Sequence, residues 1–136
     1  MFKLFLATPD KKLVTDQELE EITVPAHLGE LHILPGHAPL MTALHGGILR
    51  YRLKDSEFVK LAIGWGYCQV SSDGVTVLAE TANSTDELDT NEINEQLKTY
   101  EAKMISESLD DYDWEKTQQE MGRLRAELDL LNEKSH

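Results

Sequence analysis

The hydrophobic repeat of this chain changes period once, near Ala82, and that change limits the possible folds more than any other feature. Before it, apolar residues alternate with polar ones over short runs bounded by Gly, Pro and Asp, the period-two signature of half-buried strands. Such runs fall at 2–6, 13–15, 22–24 (stopped by Pro25), 31–33, 40–44, 48–53, 57–63, 66–70 and 75–78. Gly46 with Gly47, Gly64, and Ser72-Asp73-Gly74 supply breaks between them. Strands at this spacing with no helical stretch between them predict an antiparallel β-sandwich or flattened barrel, which hides apolar faces between two layers.

After Ala82 the period becomes helical. Asn83 to Asp86 reads as a polar link, and Thr90, Asn91 and Glu92 offer helix-start residues. Ile93, Leu97, Tyr100 and Met104 then form one narrow apolar stripe, and Trp114, Met121, Leu124, Leu128 and Leu131 another. The acidic stretch 106–113 between them is expected to be the turn of an antiparallel two-helix hairpin. The expected organisation is therefore β + α, with a sandwich domain over 1–83 and a hairpin over 84–136. Residues 89–136 hold 6 basic against 13 acidic side chains, a net charge of −7. Two thin stripes under that charge predict a hairpin that docks on the sandwich weakly enough to detach.

Charge and cysteine content narrow the function classes. A net charge of −12 over 136 residues argues against nucleic acid or an anionic bilayer as the main partner, and favours a partner with basic patches. No apolar run reaches the roughly 20 residues of a membrane helix, and the opening residues lack a secretory pattern, so any work at a membrane is expected to pass through a partner. The lone cysteine, Cys68, cannot form an internal disulfide and lies in an apolar strand, where a buried inert thiol is expected.

Catalytic chemistry finds little support. There is no nucleophile elbow, no phosphate-cradling Gly-rich loop and no cysteine beside a base. Asp110, Asp111 and Asp113 cluster on the expected turn without an apolar pocket to tune them, which reads as a solvated acidic turn. His27, His32, His37 and His45 lie close in sequence, but their spacing along alternating strands does not make a zinc ligand set. No cofactor is expected. A small ligand- or metal-binding module and a stand-alone hydrolase built on the carboxylates around Asp110 are the readings from other classes.

The most distinctive stretch is GELHILPGHAPLMTAL followed by GGILR, at 29–44 and 46–50. Pro35-Gly36 ends a strand and Pro39 interrupts again, so His37 sits on a loop braced by two prolines with little entropy left to lose on docking. This stretch closely resembles the Pro-Gly-His segment near the start of the epsilon subunit of F-type ATP synthases. Residues 73–82 resemble that family's last strand, and the tail resembles its two C-terminal helices.

The resemblance implies a non-catalytic subunit of the central rotor. Its sandwich would couple the gamma subunit to the c-subunit ring, and its C-terminal helices would reach the alpha/beta catalytic head. It implies that His37, Ala38, Pro39, Leu40 and Met41 face gamma, and that Glu30 lies at the end resting on the ring, opposite basic loops. The hairpin corresponds to the family's mobile regulator, permissive when folded on the sandwich and inhibitory when extended, with Arg123 and Arg125 as candidate inhibitory contacts. The implied location is peripheral, on the cytoplasmic face of a bacterial plasma membrane. The organellar equivalent is the close rival, against which the absence of a transit-peptide pattern is weighed.

Two departures matter. Some bacterial members bind ATP through an apolar residue and Asp, then Arg-Ala two residues on. Here the matching positions are Leu88, Asp89, Glu92 and Ile93, and a carboxylate in the arginine position would repel a triphosphate, so no useful ATP affinity is expected. At 64–70 many family members have a Gly-Gly pair and a glutamate where Cys68-Gln69 falls. Gly66 keeps the backbone freedom, and the aromatic Trp65 and Tyr67 are expected to add buried area.

Overall fold

The computed structural model describes residues 1–106 and 109–134. The sandwich is built from β1 (Lys3–Ala7), β2 (Lys12–Ala26), β3 (Gly29–Ile33), β4 (Leu40–Leu44), β5 (Gly47–Leu53), β6 (Phe58–Ile63), β7 (Gly66–Ser71), β8 (Gly74–Ala79) and the short β9 (Ala82–Asn83). A 3₁₀ turn at Thr85–Glu87 leads into α1 (Thr90–Ser106) and α2 (Asp111–Lys134). The strands hydrogen-bond in the order β1-β8-β7-β4-β2-β5-β6-β9, with β3 on β2 and β1 also pairing with β2.

The two short strands expected at 13–15 and 22–24 are one long strand, β2. It survives because register shifts and Asp16, at φ 49°, bend it instead of ending it. Pro25 does not stop it either. It stands one residue from the strand's end, paired with Glu30, and its carbonyl accepts a hydrogen bond from the His45 amide at 3.2 Å. One pairing, β1 with β8, is parallel within an otherwise antiparallel set.

Gly46 and Gly47 do not reverse the chain. Both β4 and β5 run antiparallel to β2, so the chain keeps its direction there and passes from one layer to the other. The same holds for β6 to β7 and β8 to β9, since β6 and β9 pair in one layer while β7 and β8 pair in the other. Backbone bonds from Gly64 to Thr81 and from Glu80 to Trp65 tie the last two kinks together. Three strands folded across both layers make a flattened barrel.

The core between the layers comes from the inward face of each strand, including Leu4, Leu6, Ile22, Val24, Ile33, Leu49, Ile63, Val70 and Val77. Cys68 is fully buried among them, and burial pushes its thiol up to about 12, so it stays neutral.

Both helices form where the periodicity places them, and their caps are aspartates. Asp89 Oδ1 accepts from the amides of Asn91 and Glu92 at 2.9 and 3.3 Å, so Asp89 takes the capping place expected of Thr90. Asp110 Oδ1 accepts from the Asp113 amide at 2.8 Å and starts α2. The expected turn at 106–113 is therefore shorter: Asp111 and Asp113 are already helical, and residues 107 and 108 lie outside the described residues. The expected polar link is also structured. Ala82–Asn83 pairs with β6, and Glu87 accepts from the Ser84 amide at 3.0 Å and from Lys11 Nζ at 3.2 Å.

Ile93 and Leu97 of α1 pack on Met121 and Leu124 of α2, with Tyr100, Met104, Leu128 and Leu131 at the margins. Trp114 is half-exposed and does not join that seam. α2 has a second apolar face that the stripe did not announce. Ala126 and Leu130 pack on Ala62 and Ile48, on the outer side of β5 and β6.

Candidate functional site

With no catalytic constellation to follow, the surfaces that could hold other chains are the sites of interest. The braced loop lies between β3 and β4. His37 donates its backbone N–H to the Leu34 carbonyl at 3.0 Å, and its Nδ1 lies 2.7 Å from the Ala38 carbonyl, a donor's position. Gly36 holds φ 90°, which only glycine adopts without strain. His37 is half-buried, Ala38 and Pro39 are exposed, and Leu40 packs against the core. Met41 alternates outward and is 69% exposed.

Met41 opens onto a larger apolar face. The register aligns Ala43 with Tyr67, Tyr67 with Leu78 and Leu78 with Ala7, one row across four neighbouring strands. The next row runs from Met41 through Gln69 and Thr76 to Phe5. Tyr67 is 54% exposed, Leu78 49% and Trp65 40%. A groove of about 310 Å³ lies among Trp65, Tyr67, Leu78, Ala7 and Pro9. The expectation that Trp65 and Tyr67 add buried area is thus wrong. Gly66, Cys68 and Val70 take the inward positions, and strand alternation then sends Tyr67 out. That alternation was visible in the sequence and would have turned Tyr67 outward, but only the register shows which residues stand beside it. Exposed apolar area gathered on one stiff sheet marks a docking surface more than scattered exposed residues do.

Glu30 lies on β3, exposed, with its carboxylate 3.4 Å from Arg50. Nearby on the same outer face, Glu21 binds Arg52 at 3.0 Å and His32 at 3.2 Å. Its carboxyl is held below the ordinary value chiefly by the Arg52 hydrogen bond, with burial acting the other way. His27 and His45 line one cleft beside α2, while His32 pairs with Glu21 and His37 lies on the braced loop. Among the described residues no group of three or more His, Cys, Asp or Glu is placed to hold a metal ion.

The hairpin residues singled out by resemblance have local work. Leu88 packs at the margins of both helical clusters, Asp89 caps α1, Glu92 is exposed in its first turn, and Ile93 is buried in the helix seam. Arg123 is folded inward, paired with Glu120 at 2.9 Å and Glu127 at 2.8 Å. Arg125 is exposed and lines a cleft between α2 and the β4–β5 kink. The structure does not bring the two arginines together as one contact surface.

Glu127 is 3% exposed, and burial pushes its carboxyl above the ordinary value against the opposing pull of Arg123. Glu133 is shifted the other way. Burial would raise it, but Arg50 and Lys60 together hold it below the ordinary value. No helix of the described residues is long and apolar enough to cross a membrane.

Comparison with known proteins fits this architecture. Residues 1–85 match the family model described as ATP synthase, Delta/Epsilon chain, beta-sandwich domain. The chain is 43% identical to the ATP synthase epsilon chain of Bdellovibrio bacteriovorus over 132 residues, covering 96% of this chain and 94% of that one. It is 44% identical to the ATP synthase epsilon chain of Geobacter sulfurreducens over 112 residues, covering 82% and 80%. Among solved structures, a chain of the Euglena gracilis mitochondrial ATP synthase (OSCP/F1/c-ring) superposes with a TM-score of 0.78 at 21% identity, covering 99% of this chain and 81% of that one. A chain of the Tetrahymena thermophila mitochondrial ATP synthase central stalk/c-ring gives 0.65 at 15% identity, with 96% of each covered. The sandwich match and the end-to-end likeness to bacterial relatives agree with the strand order and the docked helices: the chain belongs to the ATP synthase epsilon chain family.

Proposed function

We propose that this chain is a non-catalytic rotor subunit of an F-type ATP synthase, carried on the central stalk at the cytoplasmic face of a bacterial plasma membrane. The observation that carries the reading is the uncovered apolar face of β4, β7 and β8. Met41, Tyr67 and Leu78 stand exposed on neighbouring strands of one layer, as expected of a surface made for a permanent partner.

The gamma subunit is the partner assigned to that face, with the 37–41 loop at its border. The c-subunit ring is assigned to the end carrying Glu30, where a carboxylate opposite basic loops sets orientation and register. A stiff flattened barrel suits the task, since transmitting torque needs two gripping surfaces that do not shift against each other. The hairpin is folded on β5 and β6 here, the arrangement read as permissive. Its inhibitory form would free the helices to reach the alpha/beta head. Arg125 is ready for that contact as it stands, whereas Arg123 must first leave Glu120 and Glu127.

The test is assembly with tagged chain. Wild type is expected to bring down gamma and the c subunits, and Tyr67→Glu to lose gamma at least tenfold while the free chain keeps its melting temperature. Retention of gamma by Tyr67→Glu would remove the assigned face. In the same preparations, deleting 89–136 is expected to raise ATP hydrolysis by the assembled enzyme, and no rise would remove the inhibitory role.

A further inference from the structure

A line of charge on the outer face of the sandwich ends on the hairpin. Arg50, on β5, points outward between two carboxylates. Its Nη1 lies 3.4 Å from Glu30 on β3, and its Nη2 grips both oxygens of Glu133 on α2, at 2.9 and 2.7 Å. Lys60, the cross-strand neighbour of Arg50 on β6, reaches Glu133 at 3.2 Å. Arg50 and Glu133 are each about one-third exposed at the side chain, while Glu30 is 64% exposed and open to a further partner.

We propose that Arg50 is a shared counter-charge for which Glu30 and Glu133 compete, so that a basic group engaging Glu30 tightens α2 onto the sheet. The sign follows from the arrangement. With Glu30 unoccupied, its negative charge draws on Arg50 and repels Glu133 across it, and both effects disfavour the docked helix. A lysine or arginine side chain brought against Glu30 cancels that charge and leaves Arg50 to Glu133. Linkage makes the effect reciprocal: a docked α2 neutralises Arg50 and frees Glu30 for its basic partner, whereas a departed α2 returns Arg50 to Glu30 as a competitor.

The proposal rests on the rotor reading above only for the source of the basic group, the ring loops. Under that reading, seating on the ring and the folded hairpin favour each other. A rotor subunit lifted from its ring would then hold its regulatory helices more loosely. The size of the effect is that of partly exposed ion pairs, a factor of about two to three in the docking equilibrium.

Amide hydrogen exchange on the isolated full chain reads this directly. Protection of α2 amides between Met121 and Leu131 is expected to rise about twofold in Glu30→Gln and further in Glu30→Lys, with β7 and β8 unchanged. Glu133→Gln should lower α2 protection and flatten the Glu30 series. The proposal is overturned if the series is flat with Glu133 present, if it runs downward, or if it persists undiminished in the Glu133→Gln background. Ring association of the same Glu30 variants, measured in assembled enzyme, tests the rotor reading separately. Unchanged ring binding would sink the ring assignment and leave the coupling inside the chain standing.

Discussion

At Gly46 the absence of a side chain is what lets α2 lie against the sandwich. A Cβ there would stand 2.5 Å from the Gly122 carbonyl carbon and 2.7 Å from the Arg123 amide nitrogen, both helix backbone that cannot turn aside. Gly122 faces the same contact, yet a Cβ built on it meets nothing within 4 Å. The two glycines therefore make opposite predictions. Gly46→Ala is expected to push α2 off the sheet at a cost of about 1–3 kcal/mol, as overpacking does. Gly122→Ala is expected to stabilise the helix by about 0.5–1 kcal/mol, because alanine loses less entropy on helix formation. Exchange protection along α2, compared with an unchanged sandwich, measures both. A Gly46→Ala protein with fully protected α2 would mean that the helix does not rest where the geometry puts it.

Among the elements, α2 is the one whose surroundings a one-dimensional pattern does not reveal. Successive turns of it meet the kink before β5 and then cross-strand pairs of β5 and β6: Gly46 meets Gly122, Ile48 with Ala62 meets Ala126 and Leu130, and Arg50 with Lys60 meets Glu133. Two residues of strand and four of helix both advance about 6–7 Å, so the contacts stay in step. The stripe through Met121, Leu124 and Leu128 was legible because it is made of large apolar side chains. The second face was not, because Ala126 is small and Arg50, Lys60 and Glu133 read as solvated charge. For the same reason the strands were legible from alternation, while their kinks between layers were not, since a glycine pair looks the same whether the chain reverses or carries on. The loop at 37–41 was found through its prolines, but the Tyr67 and Leu78 rows beside it needed the register.

Two of the carboxyls on α2, Glu127 and Glu133, also give a pH signature. Glu127, buried beside Arg123, Glu120 and Asn83, has its docked value raised, so it favours docking in acid and loses that contribution as the pH rises through its docked value. Glu133, gripped by Arg50 and Lys60, has its docked value lowered, so it favours docking above the ordinary carboxylate range and loses that contribution as the pH falls. The opposing trends partly cancel in the wild type. Between about pH 7 and about pH 4, Glu127→Gln should make docking more acid-sensitive than wild type, and Glu133→Gln less. Parallel curves for both variants would place the pH response elsewhere.

For the molecule as a whole, the division of labour turns on where burial is found. The sandwich core draws on residues 2–82 and, among the described residues, contains no side chain from α1 or α2. The hairpin seam draws on residues 88–131, and the bridge between the two units is the small patch of Ala62, Ala126 and Leu130 with Ile48 and Leu88. A unit whose core is complete within itself should survive the loss of its neighbour. The hairpin has only one narrow seam of its own, and helices in proteins owe most of their stability to tertiary packing. A fragment of residues 1–88 is therefore expected to melt in one cooperative transition within a few degrees of the full chain. The fragment 89–136 should lose most of its helical circular dichroism at 25 °C, and regain part of it when the first fragment is added. Under the proposed regulatory role, the sandwich would stay a fixed gripping body while the helices leave and return. An unfolded 1–88 fragment would show instead that α2 is part of the sandwich's own core, and the hairpin could not leave without dismantling the body that carries it.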